Sequence, residues 1–249
     1  MGYMNGHKSV VRILTGLICL LLSIDQLRAE PVQWLGDIDA SARFAAGSTR
    51  EVAWELDTEL ERRSGTHRTK LQVEVRHEAE SKAGLPLKRV NDRYLISPKF
   101  EWWDAPERHF VFVDPEYKAD QLSSTQSRVS WTTGVGVGGM AVGAGELRFE
   151  TGLGMRQSNY RDNTRKRALL WVVRNRLDYP LNETLNAFQT LELERSGNEE
   201  RIEAEVGLKQ ALSEHLSLRA RLTLTYGRPI DTSERHLDTE SRLSLGYTF

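Results

Sequence analysis

The chain has 249 residues, with 34 Lys and Arg against 35 Asp and Glu, and its mean hydropathy is −0.50. This charge balance argues against a general nucleic-acid binder, which needs an excess of basic residues to neutralise phosphates. The charged fraction of 28% argues against a protein with several membrane-spanning helices.

Residues 1–29 are predicted to be a cleaved signal peptide. Lys8 and Arg12 precede the apolar run Ile13–Ile24, and Leu27-Arg28-Ala29 follows it as an exit of the kind that signal peptidase cleaves. The run is shorter than the ~17–25 residues of a spanning helix, so an N-terminal membrane anchor is the less favoured alternative. We expect export, cleavage after Ala29 and one domain over residues 30–249.

Cleavage would remove Cys19, the single cysteine of the chain. An exported domain without a disulfide must be stabilised by burial or by closure of a sheet. Thiol redox chemistry and cysteine-based metal sites are therefore excluded for the mature chain.

Apolar and polar residues alternate with a period of two, which predicts strands with one apolar and one wet face. The pattern is clearest in three segments, near residues 200–210, 215–226 and 236–249. Their apolar face has 17 positions and no charge, and their opposite face has nine charges in 17 positions. At the average charge content, chance would leave such a face uncharged roughly 0.4% of the time.

The same alternation predicts about twelve strands, an even number in the range of outer-membrane barrels. They lie near residues 34–45, 51–62, 67–79, 90–102, 109–118, 128–138, 146–157, 166–178, 184–195, 200–210, 215–226 and 236–249. The strand near 109–118 is the least regular, because His109–Val113 is apolar on both faces. Short turns alternate with a second set of connections, which places both termini on the periplasmic side.

The pattern fits two architectures: a soluble sandwich or small barrel that buries its apolar face, or a transmembrane barrel that turns this face to lipid. Twelve strands enclose an interior too wide for one layer of side chains. An Arg or Lys on the lipid side would cost ~2–4 kcal/mol at mid-depth. Aromatic residues near the predicted strand ends suit interfacial girdles. These are Trp34, Trp102, Trp103, Tyr179, Tyr226, Tyr247 and Phe249. We predict an all-β protein, a single transmembrane antiparallel β-barrel.

The polar faces are predicted to line a wet lumen of mixed charge. The candidate lumen charges are Asp57, Glu59, Arg148, Glu150, Arg174, Arg176, Glu203, Glu205, Arg219, Arg221 and Arg242. Carboxylates two residues apart, such as Asp57 and Glu59, share a face and could flank a glycosidic bond or bind a cation. Arginine pairs such as Arg219 and Arg221 could attract anions. Mutual neutralisation of the opposite charges is the favoured alternative in both cases.

A glycine-rich stretch, Gly134 to Gly139, alternates with valines and is therefore predicted to lie in a strand with its glycines facing inward. It does not have the form of a phosphate-binding loop. We expect these glycines to relieve crowding or to seat a bulky neighbour such as Arg176.

An outward-facing lipid hydrolase is a further alternative. His77 falls on the predicted lipid face, where a serine on a neighbouring strand could complete a catalytic pair. The sequence contains no G-x-S-x-G motif, and Ser81 is the only serine near His77. An interfacial role for His77 is favoured, so no catalytic residue is assigned.

Several hairpin and turn patterns resemble an uncharacterised bacterial family, the salt-induced outer-membrane proteins (YdiY-like). They are Gly36-Asp-Ile-Asp, Gly47-Ser48, Leu56–Arg63, Leu212-Ser-Glu-His-Leu-Ser-Leu and Asp238–Phe249. The resemblance covers nearly all of residues 34–249, with a more apolar loop at 83–86. It implies an outer-membrane barrel and no particular chemistry. It also implies that the last strand, with Tyr247 and Phe249, is a signal for the barrel-assembly machinery, which can dock it by strand addition.

The sequence thus predicts, first, a small pore or envelope-maintenance barrel of the bacterial outer membrane that passes small polar or ionic solutes. A lipid-modifying hydrolase and a non-conducting structural or binding barrel are the alternatives. The expected partners are outer-membrane lipids, the assembly machinery and small solutes or ions. No enzymatic activity, cofactor, metal or nucleic acid is expected.

Overall fold

The computed structural model describes residues 32–45, 49–82, 87–104, 108–120, 125–197, 199–229 and 236–249. The body formed by Gln33–Phe249 is a closed barrel of twelve strands. The predicted signal peptide and its cleavage site lie outside the described residues. Within the described ranges, no helix is long and apolar enough to cross a membrane.

Each strand pairs with its neighbours in sequence, and β1 closes the barrel against β12. The strands are β1 (Val32–Ala45), β2 (Thr49–Ser64), β3 (His67–Lys82), β4 (Lys88–Trp103), β5 (His109–Asp120), β6 (Thr125–Val142), β7 (Gly145–Tyr160), β8 (Arg165–Pro180), β9 (Leu185–Ser196), β10 (Glu199–Ala211), β11 (Leu216–Pro229) and β12 (His236–Thr248). The prediction of an all-β barrel of about twelve strands is confirmed. Most strands extend beyond their predicted ends, and some of the added segments, such as Glu80–Lys82 and Thr125–Ser127, are polar and do not alternate.

The apolar face of each strand points outward. Leu243 is 61% exposed, whereas its neighbour Ser244 is 4% exposed on the lumen side. Leu169 and Leu170 show the same contrast on β8, at 77% and 2%. An outward apolar surface of this extent suits contact with lipid, since a soluble barrel would bury it.

Outward aromatic residues mark two levels of the barrel wall. On β4, Tyr94 and Trp102 lie eight residues apart, and Trp171 and Tyr179 have the same spacing on β8. At ~3.3 Å per residue and a tilt of ~40°, eight residues span about 20 Å, close to the ~25 Å apolar band of outer-membrane barrels. The strands therefore project beyond the apolar band at the end opposite the termini.

The assignment of Trp103 to an aromatic girdle is wrong. Its neighbour Trp102 faces outward and is 42% exposed, but Trp103 faces the lumen and is 7% exposed. Adjacent residues of a strand point to opposite faces, so only one residue of the Trp-Trp pair can reach the interface. Trp54 and Trp131 lie on the apolar faces of their strands in the alternating pattern, and both face outward as this pattern predicts, at 45% and 47% exposure.

The short turns Leu181-Asn-Glu-Thr-Leu185 and Leu212-Ser-Glu-His-Leu216 are similar in sequence and have the same hydrogen-bond pattern. Asn182 Oδ1 accepts from the Leu185 backbone N–H at 2.9 Å, and Ser213 Oγ accepts from the Leu216 N–H at 3.1 Å. In both turns the first residue donates its N–H to the carbonyl of the closing leucine. A side-chain oxygen at the second position thus fixes each turn.

Asp104 terminates the β4–β5 turn in a comparable way. Its carboxylate accepts the backbone N–H groups of His109 and Arg108, each at 2.8 Å. The hydrogen bonds from His109 and Arg108 stabilise the charged form, so the pKa of Asp104 lies below its ordinary value.

The termini of the barrel meet at the β1–β12 seam. Gly36 and Phe249 exchange two backbone hydrogen bonds of 3.0 Å, and the pairing continues from Asp37↔Thr248 to Ala40↔Leu245. The Phe249 ring lies over Gly36, where a Cβ would come within 2.2 Å of the ring. Tyr247 and Phe249 face outward, at 46% and 52% exposure. Their role as an assembly signal stays a prediction.

Candidate functional site in the charged lumen

The lumen contains a cavity of about 630 Å³. Thirteen acidic and thirteen basic side chains line it, so their formal charges cancel. All eleven candidate lumen charges are among them: Asp57, Glu59, Arg148, Glu150, Arg174, Arg176, Glu203, Glu205, Arg219, Arg221 and Arg242. The alternation in the sequence was enough to place these residues on one face, because the period of a strand is two.

The cavity follows the wall of the barrel for most of its height. On β10 its lining runs from Arg201, near the start of the strand, to Lys209, near its end. On β8 the lining begins only at Arg174 and continues to Asp178. Leu170 and Val172, higher on β8, are each 2% exposed and belong to the packed wall instead. The lining of β8 is therefore confined to the half of this strand that is nearer the termini.

Every one of the thirteen basic side chains in the lining has a carboxylate oxygen within 4.0 Å. These pairs are recorded for Lys70, Arg76, Arg93, Lys99, Lys118, Arg148, Arg174, Arg176, Arg201, Lys209, Arg219, Arg221 and Arg242. Mutual neutralisation, the favoured alternative to an anion path, is thus the arrangement found for the basic groups.

Two carboxylates of the lining lack such a partner. Among the described residues, Asp57 and Glu59 have no basic nitrogen within 4.0 Å, although both lie on the lumen face of β2. Glu59 interacts electrostatically with Arg176 on β8, which is six strands away and so on the opposite side of the barrel. The unpaired charge in the lumen is therefore negative.

Some pairs cross the lumen and tie distant strands together. Arg174 on β8 donates to Asp114 on β5 at 2.5 Å and to Glu192 on β9 at 2.7 Å. Lys99 on β4 donates to Glu150 on β7 at 2.5 Å. Such charge-assisted hydrogen bonds hold the side chains at fixed positions and narrow the free passage.

The β1–β12 seam is bridged on its lumen side by further pairs. Arg76 on β3 donates to Glu240 on β12 at 2.9 Å, and Arg242 on β12 pairs with Glu55 on β2. Arg219 on β11 donates to Asp37 on β1 at 2.8 Å. These contacts connect strands at the two ends of the chain without passing through the backbone pairing of the seam.

Three aromatic side chains, Trp103, Phe110 and Phe112, form a cluster inside the lumen, here called the aromatic cluster. The Trp103 and Phe110 rings are stacked with centroids 4.3 Å apart. Phe110 lies over Gly136, where an added Cβ would come within 2.1 Å of the ring. Phe112 and Trp103 are similarly close to Gly134 and Gly138.

The glycine stretch therefore seats the aromatic cluster, and the expectation that it seats Arg176 is wrong. It faces inward as predicted, but the bulky neighbours come from β4 and β5. This packing also explains why His109–Val113 is apolar on both faces. Val111 and Val113 face lipid, at 51% and 36% exposure, whereas Phe110 and Phe112 fill space inside.

Basic groups cover the lumen side of the aromatic cluster. The Arg68 guanidinium lies 4.0 Å from the centre of the Trp103 ring, and that of Arg148 lies 4.3 Å from Phe110. Lys99 Nζ lies 4.6 Å from the Phe112 ring. These distances fit cation–π contacts, which hold the cluster against the wall.

The buried side chain of Glu101 holds two members of this region, Trp103 and Arg148, by hydrogen bonds. Its side chain is 1% exposed and accepts from Trp103 Nε1 at 3.0 Å and from Arg148 Nη2 at 2.5 Å. A buried carboxylate of this kind fixes the orientation of its donors, because leaving it unpaired would be costly. The aromatic cluster is therefore a rigid constriction on the β3–β7 side.

His77 lies on the outward face of β3, as its alternation predicts. Its ring centroid is 5.9 Å from that of Trp54, and Nδ1 is 3.8 Å from Asp92 Oδ1. Asp92 also accepts from Arg89 at 3.0 Å. Ser81 is four residues further along β3, about 13 Å at the rise of a strand, so this serine is not within reach of His77.

Over the described ranges, no group of three or more His, Cys, Asp or Glu side chains is arranged to hold a metal ion.

A family model described as "Protein of unknown function, DUF481" matches residues 38–249 of this sequence. Two solved structures share the fold. An outer-membrane channel from Pseudomonas putida F1 superposes with a TM-score of 0.52 at 9% identity, covering 89% of this chain and 96% of the other. The NanC porin superposes with a TM-score of 0.51 at 9% identity, covering 86% and 98%. No curated protein gives a significant match.

Proposed function

Because this chain belongs to the DUF481 family, which is the YdiY-like family that its hairpins resemble, we propose that it is a narrow outer-membrane channel for small hydrated cations and small polar solutes. Its closed barrel has the fold of outer-membrane channels. Lipid would cover the outward apolar face, and the assembly machinery would insert the folded strands.

The lumen charge distribution is the observation that carries this proposal. Each basic group of the lining already has a carboxylate partner, so it attracts little further negative charge. Asp57 and Glu59 line the same cavity and, among the described residues, have no basic nitrogen within 4.0 Å. Fixed charge inside a low-dielectric wall raises the local concentration of counter-ions, here cations.

The aromatic cluster and the crossing ion pairs support a preference for small solutes. They fill part of the lumen and leave a cavity of about 630 Å³ between charged side chains. A solute must pass between fixed charged side chains there. A bulky apolar molecule would have to leave water and displace ion pairs, which is costly.

The test is single-channel recording of the refolded mature protein in a planar bilayer, with heat-modifiable gel migration as the folding check. We expect discrete conductance steps and a reversal potential on the cation-selective side under a salt gradient. A folded barrel that gives no current, or one that prefers anions, would contradict the proposal.

The double variant Asp57→Asn, Glu59→Gln is expected to lower the cation-over-anion permeability ratio roughly twofold, because it removes the unpaired lumen charge. The measurement is the reversal potential across a salt gradient. Glu200→Gln is the control, since Glu200 is exposed on the outward side of β10 opposite Arg195. Equal shifts in both variants would show that the surface charge, not the lumen, sets the preference.

We propose a channel rather than an enzyme. A lipid hydrolase would need a nucleophile beside His77, and Ser81 is about 13 Å along the strand. His77→Ala should therefore leave the conductance unchanged. Turnover of a phospholipid by the wild-type barrel that is lost in His77→Ala would favour the hydrolase instead.

A further inference from the structure

A positively charged patch lies on the outward face of the β7–β8 hairpin, at the end of the barrel opposite the termini. Arg165 and Arg167 alternate with Lys166 on β8, and both arginines are exposed. Within the part of the chain that the structure describes, neither guanidinium has a carboxylate within 4.0 Å. Every basic group of the lumen lining does have such a carboxylate. The two arginines therefore differ from the lumen groups in that no acidic side chain neutralises their positive charge.

Neutral amides, not acids, hold these two side chains. Arg167 Nε donates to Gln157 Oε1 at 2.8 Å, and Arg165 Nε donates to Asn159 Oδ1 at 3.1 Å. The Asn159 amide in turn donates to Ser127 Oγ at 2.9 Å. Both guanidinium groups are thus oriented through Nε without being neutralised.

The patch lies directly beyond the apolar surface of the barrel. The outward residues of β8 run from Trp171, at the aromatic level, through Leu169, which is 77% exposed, to Arg167 and Arg165. At a tilt of ~40°, Arg167 is about 10 Å above Trp171. This is the depth of the polar headgroups, which begin at the edge of the hydrocarbon core.

The nearest acidic side chains do not cancel this charge. Asp162, in the loop between β7 and β8, accepts from the Thr164 N–H and hydroxyl at 2.9 and 2.6 Å. Arg195, which pairs in register with Trp171, adds a third exposed arginine at the lower edge of the patch. Glu200 is opposite Arg195 on β10 but not within 4.0 Å of it.

We propose that Arg165 and Arg167 bind the phosphate group of an anionic lipid in the leaflet that surrounds this end of the barrel. A guanidinium presents paired N–H donors that match phosphate oxygens, and the amide scaffold orients two of them on one face. Basic residues next to an anionic lipid surface each strengthen binding by roughly fivefold. The site is independent of conduction through the lumen.

The experiment measures lipid binding to the refolded barrel in neutral detergent by native mass spectrometry, with phosphatidic acid and phosphatidylcholine of matched chains. The wild type should prefer phosphatidic acid by roughly tenfold or more, and Arg165→Gln, Arg167→Gln should lose most of this preference. The matched control is Lys166→Gln, Arg89→Gln, which also removes two charges. Lys166 faces inward over the Tyr160 ring, and Arg89 is already paired with Asp92.

Several outcomes would overturn the proposal. One is a preference that persists in the Arg165→Gln, Arg167→Gln variant, and another is an equal loss in the control, which would indicate only net charge. Displacement of the lipid by millimolar inorganic phosphate would show an anion site without a lipid requirement. If the double glutamine variant does not fold, Arg165→Lys, Arg167→Ala serves instead and should lose roughly fivefold. The double lysine variant keeps both charges but not the paired N–H donors, so it should lose less.

Discussion

Replacing Phe110 and Phe112 with alanine is expected to raise the single-channel conductance roughly twofold, since the passage widens where these rings now fill the lumen. Both side chains are almost fully buried, at 3% and 1% exposure, and they pack on the glycines of β6. No backbone hydrogen bond of the β5–β6 pair depends on the rings, so the wall should persist while the constriction is lost.

The control exploits the alternation of the same strand. Val111→Ala, Val113→Ala changes the intervening residues, which face lipid, and should leave conductance unaltered. Loss of each ring is also expected to lower the free energy of unfolding by at most about 3–5 kcal/mol. This is an upper limit, because water can fill the space that the ring leaves. A folded alanine variant with wild-type conductance would show that the aromatic cluster does not limit the passage.

Strand β5 shows why alternation predicts the face on which a residue lies better than it predicts which side chains pack together in the lumen. A period of two is a local property, so the lumen position of Arg219 or Glu203 follows from the sequence alone. The packing of Phe110 on Gly136 depends on the register of β5 against β6, which the pattern does not specify. The contact between an inward aromatic ring and an inward glycine on the adjacent strand can be recognised only once that register is known.

The ion pairs show a second limit of the sequence. The carboxylates and arginines on one face predicted that opposite charges in the lumen neutralise each other, but they did not predict which residues form the pairs. Arg174 reaches Asp114, which is 60 residues away, and Arg242 reaches Glu55 across the closed seam. These partners depend on barrel closure and strand stagger, which are properties of the whole sheet. The unpaired state of Asp57 and Glu59 could not be derived for the same reason.

Trp171 illustrates a third limit of the sequence, which concerns the strand ends. The aromatic girdle was expected where the alternation stops, but the strands continue beyond the apolar band because water can solvate their ends. Trp171 consequently lies well inside β8 although it marks the interface level. The sequence carries the signal, since outward aromatics recur eight residues apart, but only the structure shows which of them share a level.

Reversing one charge of the seam, Arg242→Glu, is expected to lower the free energy of unfolding by about 3 kcal/mol. Arg242 is 17% exposed and donates to Glu240 at 2.7 Å, besides its pair with Glu55. The variant would add a fourth carboxylate to Glu55, Glu78 and Glu240, which already lie within 4.0 Å of Arg76. The measurement is equilibrium unfolding of the vesicle-inserted barrel in urea, followed by tryptophan fluorescence.

The effect should depend on the position of the pair rather than on the charge change itself. Arg176→Glu is the control, because the Arg176–Asp178 pair lies within one strand and is about half-exposed at 50% and 47%. Exposed pairs contribute about 1 kcal/mol or less, so this variant should be only slightly destabilised. Adding Glu55→Arg to Arg242→Glu should recover part of the loss, since the opposite charges face each other again. If both reversals cost the same and Glu55→Arg gives no recovery, the seam is held by its backbone pairing alone and the lumen charges serve permeation only.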